Sequence, residues 1–327
     1  MTGWKFWILL ALAFAITCLP LFSNNNYLMQ VFFRIALFAA LGLAWNLVGG
    51  YAGQLSLGHV AFFGMGAYGL AILTAHRVPM WISFLLAPLF ATLLAAVIGK
   101  ICFRLLGPYF TLATIAVAEV LRLGAANLEI TGGAIGLSTP SLFSGPYFWK
   151  MFYFSALILA LVSFLTNYWT SRSRFGYYLM AIREDEQTAS AVGIDTANYK
   201  LRSLLLSAFL TALGGALYGS AFQFIVPDSV LTIDISVQVA IIAMLGGAGT
   251  LLGPIIGAAL LLSASELFKN EFGERHLLIY GTLIVLVVLF LPEGIIGGLQ
   301  QLLRRRKRPP GSSAPVLSPS PHGVAER

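Results

Sequence analysis

The chain has 327 residues, 58% of them hydrophobic and only 10% charged, with a formal net charge of +7. Soluble domains carry about 25% charged residues, so most of this sequence must be solvated by lipid. No stretch outside the apolar runs is long enough to build a separate soluble core. The basic excess is not a nucleic-acid footprint, because much of it sits in Arg304-Arg305-Arg306-Lys307-Arg308, directly behind the last apolar run, where the cytoplasmic flank of a membrane protein is expected.

The first apolar run follows Lys5 and reaches Phe22. It looks like a signal peptide, but no small-x-small cleavage site clearly follows and further runs come after it, so it reads as an uncleaved first helix. About 20 apolar residues span a bilayer. Such runs lie near 6–22, 28–48, 54–74, 82–101, 108–126, 148–166, 203–226 and 277–291, with a longer one at 231–266. Cys18 and Cys102 fall in or at the end of these runs without a partner at metal-ligand spacing. They read as packing residues, with no disulfide framework.

Between the second and third runs lies Gly49-Gly50-Tyr51-Ala52-Gly53-Gln54-Leu55-Ser56-Leu57-Gly58-His59. Irregular backbone facing lipid leaves N–H and C=O groups unpaired, so at membrane depth it belongs inside protein or along a cavity. Gly49, Gly50, Gly53, Gln54, Ser56, Gly58 and His59 are therefore candidates for a translocation path. Tight turns and close helix contacts are the alternative for the glycines, and a buried, hydrogen-bonded ring is the alternative for His59. Further on, Glu119 is the one ionisable residue plainly inside a span, where a charge costs roughly 2.5–3.5 kcal/mol. Arg122, three residues later, can meet it on one helix face. An intramembrane ion pair and a direct transport role both fit that spacing.

The loop 167–202 carries Arg172, Arg174, Arg183, Lys200 and Arg202. Residues 181–192 are predicted to form a short amphipathic helix, with an acidic first turn suited to the helix dipole and Gly193 as its stop. Ile182, Ala189 and Val192 make a small apolar stripe. Such a helix suits a groove on a partner protein. Lying on the membrane surface is the alternative, opposed by the acidic cluster, which anionic lipid would repel.

Leu245-Gly246-Gly247-Ala248-Gly249-Thr250-Leu251-Leu252-Gly253-Pro254 then cuts the 231–266 run. Paired interruptions in the two halves of a chain point to a transport pathway, which adds Gly246, Gly247, Gly249 and Thr250 to the path candidates. The basic loop and the basic tail both belong in the cytoplasm, so an even number of crossings separates them. Runs 203–226 and 277–291 supply two. The 231–266 run must then cross twice, as 231–246 and 250–266, or enter and leave from one side. Two crossings give an all-α, polytopic membrane fold of about ten transmembrane helices, some short and glycine-broken, with both termini cytoplasmic. Residues 1–303 form the membrane domain, and 304–327 a basic, then Pro/Ser-rich and disordered, tail.

Catalytic constellations are missing. His59, His76, His276 and His322 form no HExxH, and there is no G-x-S-x-G and no GxxxxGK[ST]. The chain is expected to be a transporter subunit with no metal and no cofactor of its own, not an enzyme. One Glu beside an Arg is thin support for an ion-coupled secondary transporter.

The stretch from Gly49 to His59, with Phe62-Phe63-Gly64-Met65-Gly66-Ala67-Tyr68, resembles the signature of permeases of branched-chain amino acid ABC importers. Gly107-Pro108-Tyr109-Phe110, Thr131-Gly132-Gly133-Ala134-Ile135-Gly136-Leu137 and Gly246 to Pro254 fit the same family in order, over about residues 30–300. The order and the Arg183–Gly193 loop look most like the M-type subunit. The resemblance implies a pore-forming subunit in the bacterial inner membrane, embedded in lipid, for branched-chain or other hydrophobic amino acids. It implies a second homologous permease, two cytoplasmic ABC ATPases that hydrolyse ATP, and a periplasmic substrate-binding protein. It also implies a coupling helix containing Arg183, Glu184, Asp185, Glu186, Ala189, Val192 and Gly193, with Gln187-Thr188-Ala189 where importers carry Glu-Ala-Ala. A urea or short-amide permease of the same architecture is the alternative.

Overall fold

The computed structural model describes residues 25–105, 107–272, 281–282 and 294–298. The expected span 6–22, the tail 304–327 and all of the expected span 277–291 except 281–282 lie outside them. The fold is all-α and polytopic. The helices are α1 (Asn26–Trp45, continued by a π-helical turn, Asn46–Tyr51), α2 (His59–Ala75), α3 (Met80–Cys102), α4 (Pro108–Asn127), α5 (Phe148–Arg172), α6 (Arg174–Glu184), α7 (Glu186–Ala191), α8 (Thr196–Phe222), α9 (Pro227–Val230), α10 (Ile233–Gly246) and α11 (Gly253–Phe272). Among the described residues, six segments are long and apolar enough to cross a membrane: 26–51, α3, α4, α5, α8 and 227–246. The two short strands, β1 (Leu137–Ser138) and β2 (Phe224–Ile225), pair antiparallel.

An antiparallel pair, α1 and α8, forms the centre. Ser203 Oγ donates to the Leu47 carbonyl and Ser207 Oγ to the Ala44 carbonyl, each at 2.7 Å. Each central helix is followed by irregular backbone and then a shorter helix that packs on the other central helix. After α1 come residues 52–58 and α2, which packs on α8 and α3; after α8 come 223–232 and α10, which packs on α1 and α11. Small residues permit these contacts, since backbones must touch where lipid gives no hydrophobic drive. A Cβ on Gly66 would strike the Ala212 backbone, and one on Gly215 the Phe63 backbone.

The extended segment 52–58 is held by hydrogen bonds to the helices around it. The Gln54 amide donates to the Val48 carbonyl (3.1 Å), and the Leu57 amide to Thr114 Oγ1 (3.3 Å). Thr111 Oγ1 donates to the Leu55 carbonyl (2.7 Å), and the Trp45 indole to the Ser56 carbonyl (2.8 Å). These partners meet the demand that membrane-depth backbone be satisfied internally.

The 231–266 run is a helical hairpin. Cβ atoms on Gly246 and Gly257 would strike the backbones of Gly253 and Ile242 respectively, so α10 and α11 lie antiparallel in close contact. Thr250 closes the turn, its Oγ1 donating to the Gly247 carbonyl (2.7 Å) and accepting from the Gly253 amide (3.1 Å). At the far end of α11, Glu266 pairs with Arg34 (2.6 Å) and accepts from Tyr27 OH (2.9 Å). α11 thus runs from the 46–51 end of α1 to its beginning, while α10 starts beside α2, where Ser236 Oγ accepts from the Val60 amide at 2.8 Å.

Three sequence expectations are corrected. The run 203–226 begins earlier, as α8 from Thr196, so Lys200 leaves the expected 167–202 loop and is buried. The two glycine clusters are not equivalent interruptions in the two halves. The counterpart of 52–58 is 223–232, which starts with Gln223 at φ +61 and contains Pro227 but no glycine. The expected single helix 181–192 is two, because Asp185 leaves helical geometry at φ −157 and caps a new helix, its Oδ1 accepting from the Thr188 amide at 2.6 Å.

Candidate functional site

The two glycine clusters and the basic loop converge on one point at the end of α1. There the chain leaves α-helical geometry for the π-helical turn, an irregularity frequent at functional sites. Asn46, in the first position of that turn, is fully buried. Its Oδ1 accepts from the Gly249 amide (2.7 Å), and its Nδ2 donates to the Thr250 carbonyl and to Asn167 Oδ1, both at 3.1 Å. Asn167 in turn donates to the carbonyls of Leu43 and Ser163, each at 2.8 Å. One buried amide network therefore joins α1, α5 and the α10–α11 turn.

Arg183, near the end of α6, enters the same junction. Its Nη1 donates to the Gly50 carbonyl at 2.6 Å. The guanidinium lies against Gly249, where a Cβ would sit 2.5 Å from Nη1, and the aliphatic stem lies against Gly53, whose Cβ would be 2.8 Å from Cγ. At Gly50 a Cβ would come within 2.6 Å of the Gly249 amide nitrogen and would overlap Asn46 Oδ1. Glycine at these positions is what lets two breaks and an arginine share one site.

The other path candidates are placed as follows. Gly49 accommodates the Trp45 indole, and Gly58 lies against the Thr114 backbone. Gly246 and Gly247 belong to the hairpin turn; Gly247 sits at φ +122. Gln54 and Thr250 are half-buried. Ser56 is buried and, with Gly58, Phe62, Phe110, Thr114 and Leu204, lines a small cleft between the extended segment, α3, α4 and α8. His59 is 2% exposed, with Nδ1 2.9 Å from Ser56 Oγ and Nε2 2.8 Å from Ser207 Oγ. Of its two readings, the buried, hydrogen-bonded one describes this conformation. These residues form close contacts between elements rather than an open lining.

The loop is held on both sides of its break. Ser173 caps α6, accepting from the Gly176 amide at 3.2 Å, and Leu179 and Ile182 are buried against the body. Glu186, in the first turn of α7, pairs with Lys200 on α8 at 2.5 Å, and the Lys200 ammonium stands over the Phe103 ring at 5.4 Å. The expected apolar stripe is split by the break: Ile182 and Ala189 turn inward, while Val192 is 74% exposed. Glu184 and Asp185 are exposed, and Gly193 is at φ +90 with open space around it. Hydrogen bonds from the Thr188 backbone amide and hydroxyl hold the Asp185 carboxyl below the ordinary carboxylate range.

Glu119 and Arg122 meet on α4. Arg122 Nη2 lies 2.6 Å from Glu119 Oε1, and Arg122 Nε donates to Oε2 at 3.0 Å. A third residue joins them: Arg122 Nη1 reaches Asp228 Oδ1, on α9, at 2.6 Å. Asp228, Asn46 and Asn167 are not singled out by sequence reasoning, because each acts through partners more than a hundred residues away. The one local signal is Asn46, a polar residue within the otherwise apolar run 28–48. No group of three His, Cys, Asp or Glu able to hold a metal ion occurs among the described residues.

The family described as branched-chain amino acid transport system, permease component, matches residues 27–290. The chain is 30% identical over 289 residues to the high-affinity branched-chain amino acid transport system permease protein LivM of Escherichia coli (strain K12), covering 80% of this chain and 68% of the relative. It is 26% identical over 233 residues to the probable LivM of Methanocaldococcus jannaschii, 65% of this chain and 68% of that one. The permease protein LivH of E. coli K12 is 25% identical over 299 residues, 83% and 96% of the two chains. No solved structure matches.

Proposed function

The chain belongs to the branched-chain amino acid transport permease family, and from that premise we propose that it is the M-type, pore-forming subunit of an ATP-driven importer for branched-chain amino acids. A binding protein delivers substrate from the periplasm, a second homologous permease completes the pore, and two ABC ATPases dock on the cytoplasmic face. The chain sits in the inner membrane with the α6–α7 loop and both termini in the cytoplasm. The charge bias supports that orientation: 14 of the 20 Lys/Arg fall on that side (Lys5, Lys100, Arg104, Arg172, Arg174, Arg183, Lys200, Arg202, Arg304, Arg305, Arg306, Lys307, Arg308 and Arg327).

The observation that carries the mechanism is the contact of Arg183 with both glycine breaks. The loop is the coupling element. It meets the ATPases through the exposed Val192, Ser190 and Gln187 of its second half, and Glu186–Lys200 anchors it to α8. ATP-driven closure of the ATPases shifts α6 and α7, and Arg183 carries that shift to the Gly50 carbonyl and the Gly249 turn. The π-helical turn and the hairpin turn then change their packing, a small local shift amplified by a packed, bistable junction. Reconstitution of the complex in proteoliposomes tests this reading. Leucine uptake is expected to need ATP inside and binding protein outside. Uptake driven by a proton or sodium gradient without ATPases, or uptake of urea in place of leucine, would overturn it.

A further inference from the structure

The outward face of α4 carries charge where lipid cannot solvate it. This is the least buried of the long spans, with 22% of its apolar stretch buried against 78% for α1. Its exposed residues, Tyr109, Leu112, Ala116, Val120 and Leu123, repeat at helical spacing, and Glu119 stands in the middle of them with its side chain 50% exposed. Asp228 is 78% exposed beside it, and the bridging Arg122 27% exposed. Two carboxylates share one guanidinium, so the cluster carries a net charge of −1. Exposed ionic side chains within spans are costly against hydrocarbon and belong on a bundle interior or a water-filled route.

A second, independent feature points the same way. Tyr68, on α2, is 4% exposed, and its hydroxyl has no hydrogen-bond partner among the described residues. Its helix packs against α9, which carries Asp228, and the hydroxyl lies within electrostatic reach of that carboxylate. Buried hydroxyls are nearly always paired in folded proteins; this one, like those of Thr139, Ser163 and Thr211, has no partner among the described residues and is free to take one at the cluster.

We propose that Glu119, Arg122, Asp228 and Tyr68 form a transit site for the zwitterionic head of an α-amino acid, on the face that this chain turns toward the second permease. The inference rests on the importer reading given above. The substrate ammonium is held by the carboxylate edges of Asp228 and Glu119 that Arg122 leaves free. Arg122 has five N–H donors, three of them engaged in the bonds described; the other two, with the Tyr68 hydroxyl, receive the substrate carboxylate. The apolar stripe of Leu112, Val120 and Leu123 takes the aliphatic side chain.

The test uses the whole complex in proteoliposomes: this chain, the second permease, both ATPases and the binding protein. Glu119→Gln, Asp228→Asn and Arg122→Lys should each lower leucine uptake at least tenfold. ATP hydrolysis stimulated by loaded binding protein should stay within twofold, and the complex should purify intact. A Glu119→Cys variant lacking Cys18 and Cys102 should react with a cationic, membrane-impermeant thiol reagent. Uptake within twofold of the unsubstituted complex in all three charge variants, or a thiol at position 119 that is inert to the reagent, would overturn the transit site and leave the importer reading standing. An unsubstituted complex that moves no leucine would sink the importer reading, and the transit site with it.

Discussion

Asn46 uses both ends of its amide in a fully buried position, holding the hairpin turn and α5 together. Leucine is close in size but offers no polar partner. Asn46→Leu would leave the Gly249 amide, the Thr250 carbonyl and Asn167 short of bonds, at about 1–3 kcal/mol for each unsatisfied group. The variant should insert in the membrane but unfold at a lower temperature in the purified complex and lose most of its uptake. Glycines divide by what surrounds them. Gly50→Ala forces a methyl group into Asn46 and the Gly249 amide and should abolish uptake with insertion retained. Gly124, in α4, has nothing within 4 Å of its Cβ position, so Gly124→Ala should be neutral or raise thermal stability, gaining about 0.5–1 kcal/mol in helix preference. The glycine clusters were legible as clusters, since a run of glycines inside apolar sequence marks a helix break or a close backbone contact. Asn46, Asn167 and Asp228 were not, because no local pattern tells which distant groups a polar side chain will meet.

At the scale of elements, the α6–α7 break shows how one side chain overrides a helix-forming stretch. Residues 181–192 read as one helix by composition, yet Asp185 competes for the backbone as a cap, as short acidic side chains do. The break splits the apolar stripe, leaving Ile182 and Ala189 buried and Val192 exposed. The cap also makes the element pH-dependent. The Asp185 carboxyl is held below its ordinary value in the folded loop, so its contribution is complete above about pH 4, the unperturbed range, and fades as pH falls through the lowered folded value. The protection factor of the Thr188 amide, its exchange rate divided into the intrinsic rate at the same pH, should be high at neutral pH and fall on acidification. In Asp185→Ala protection should already be low at neutral pH; equal protection in the two proteins would rule the cap out as the cause. The extended segment 52–58 was foreseeable from its glycines. Its counterpart 223–232 was not, because Gln223 adopts a left-handed conformation without glycine to announce it.

For the molecule as a whole, two irregular segments follow the C-terminal ends of two antiparallel central helices, so they lie toward opposite ends of the bundle. The second glycine cluster lies beside the first at the loop end, and Arg183 joins them there. Sequence parity calls for an even number of passages between loop and tail, and the 231–266 run folds as the α10–α11 hairpin, its turn at the loop end and α11 returning along α1. The proposed orientation rests on the charge bias. With Cys18 and Cys102 removed, a cysteine at Ser144, between α4 and α5, should be labelled from outside intact cells, and one at Ser190, on α7, should not; the reverse pattern would invert the topology. If loop movement reaches both breaks through Arg183, Arg183→Ala should uncouple hydrolysis from transport, which is read from the number of leucine molecules moved per ATP hydrolysed by the reconstituted complex. Binding-protein-stimulated hydrolysis should stay within about twofold of the unsubstituted complex while the ratio falls at least tenfold; an unchanged ratio would mean that Arg183 does not carry the movement.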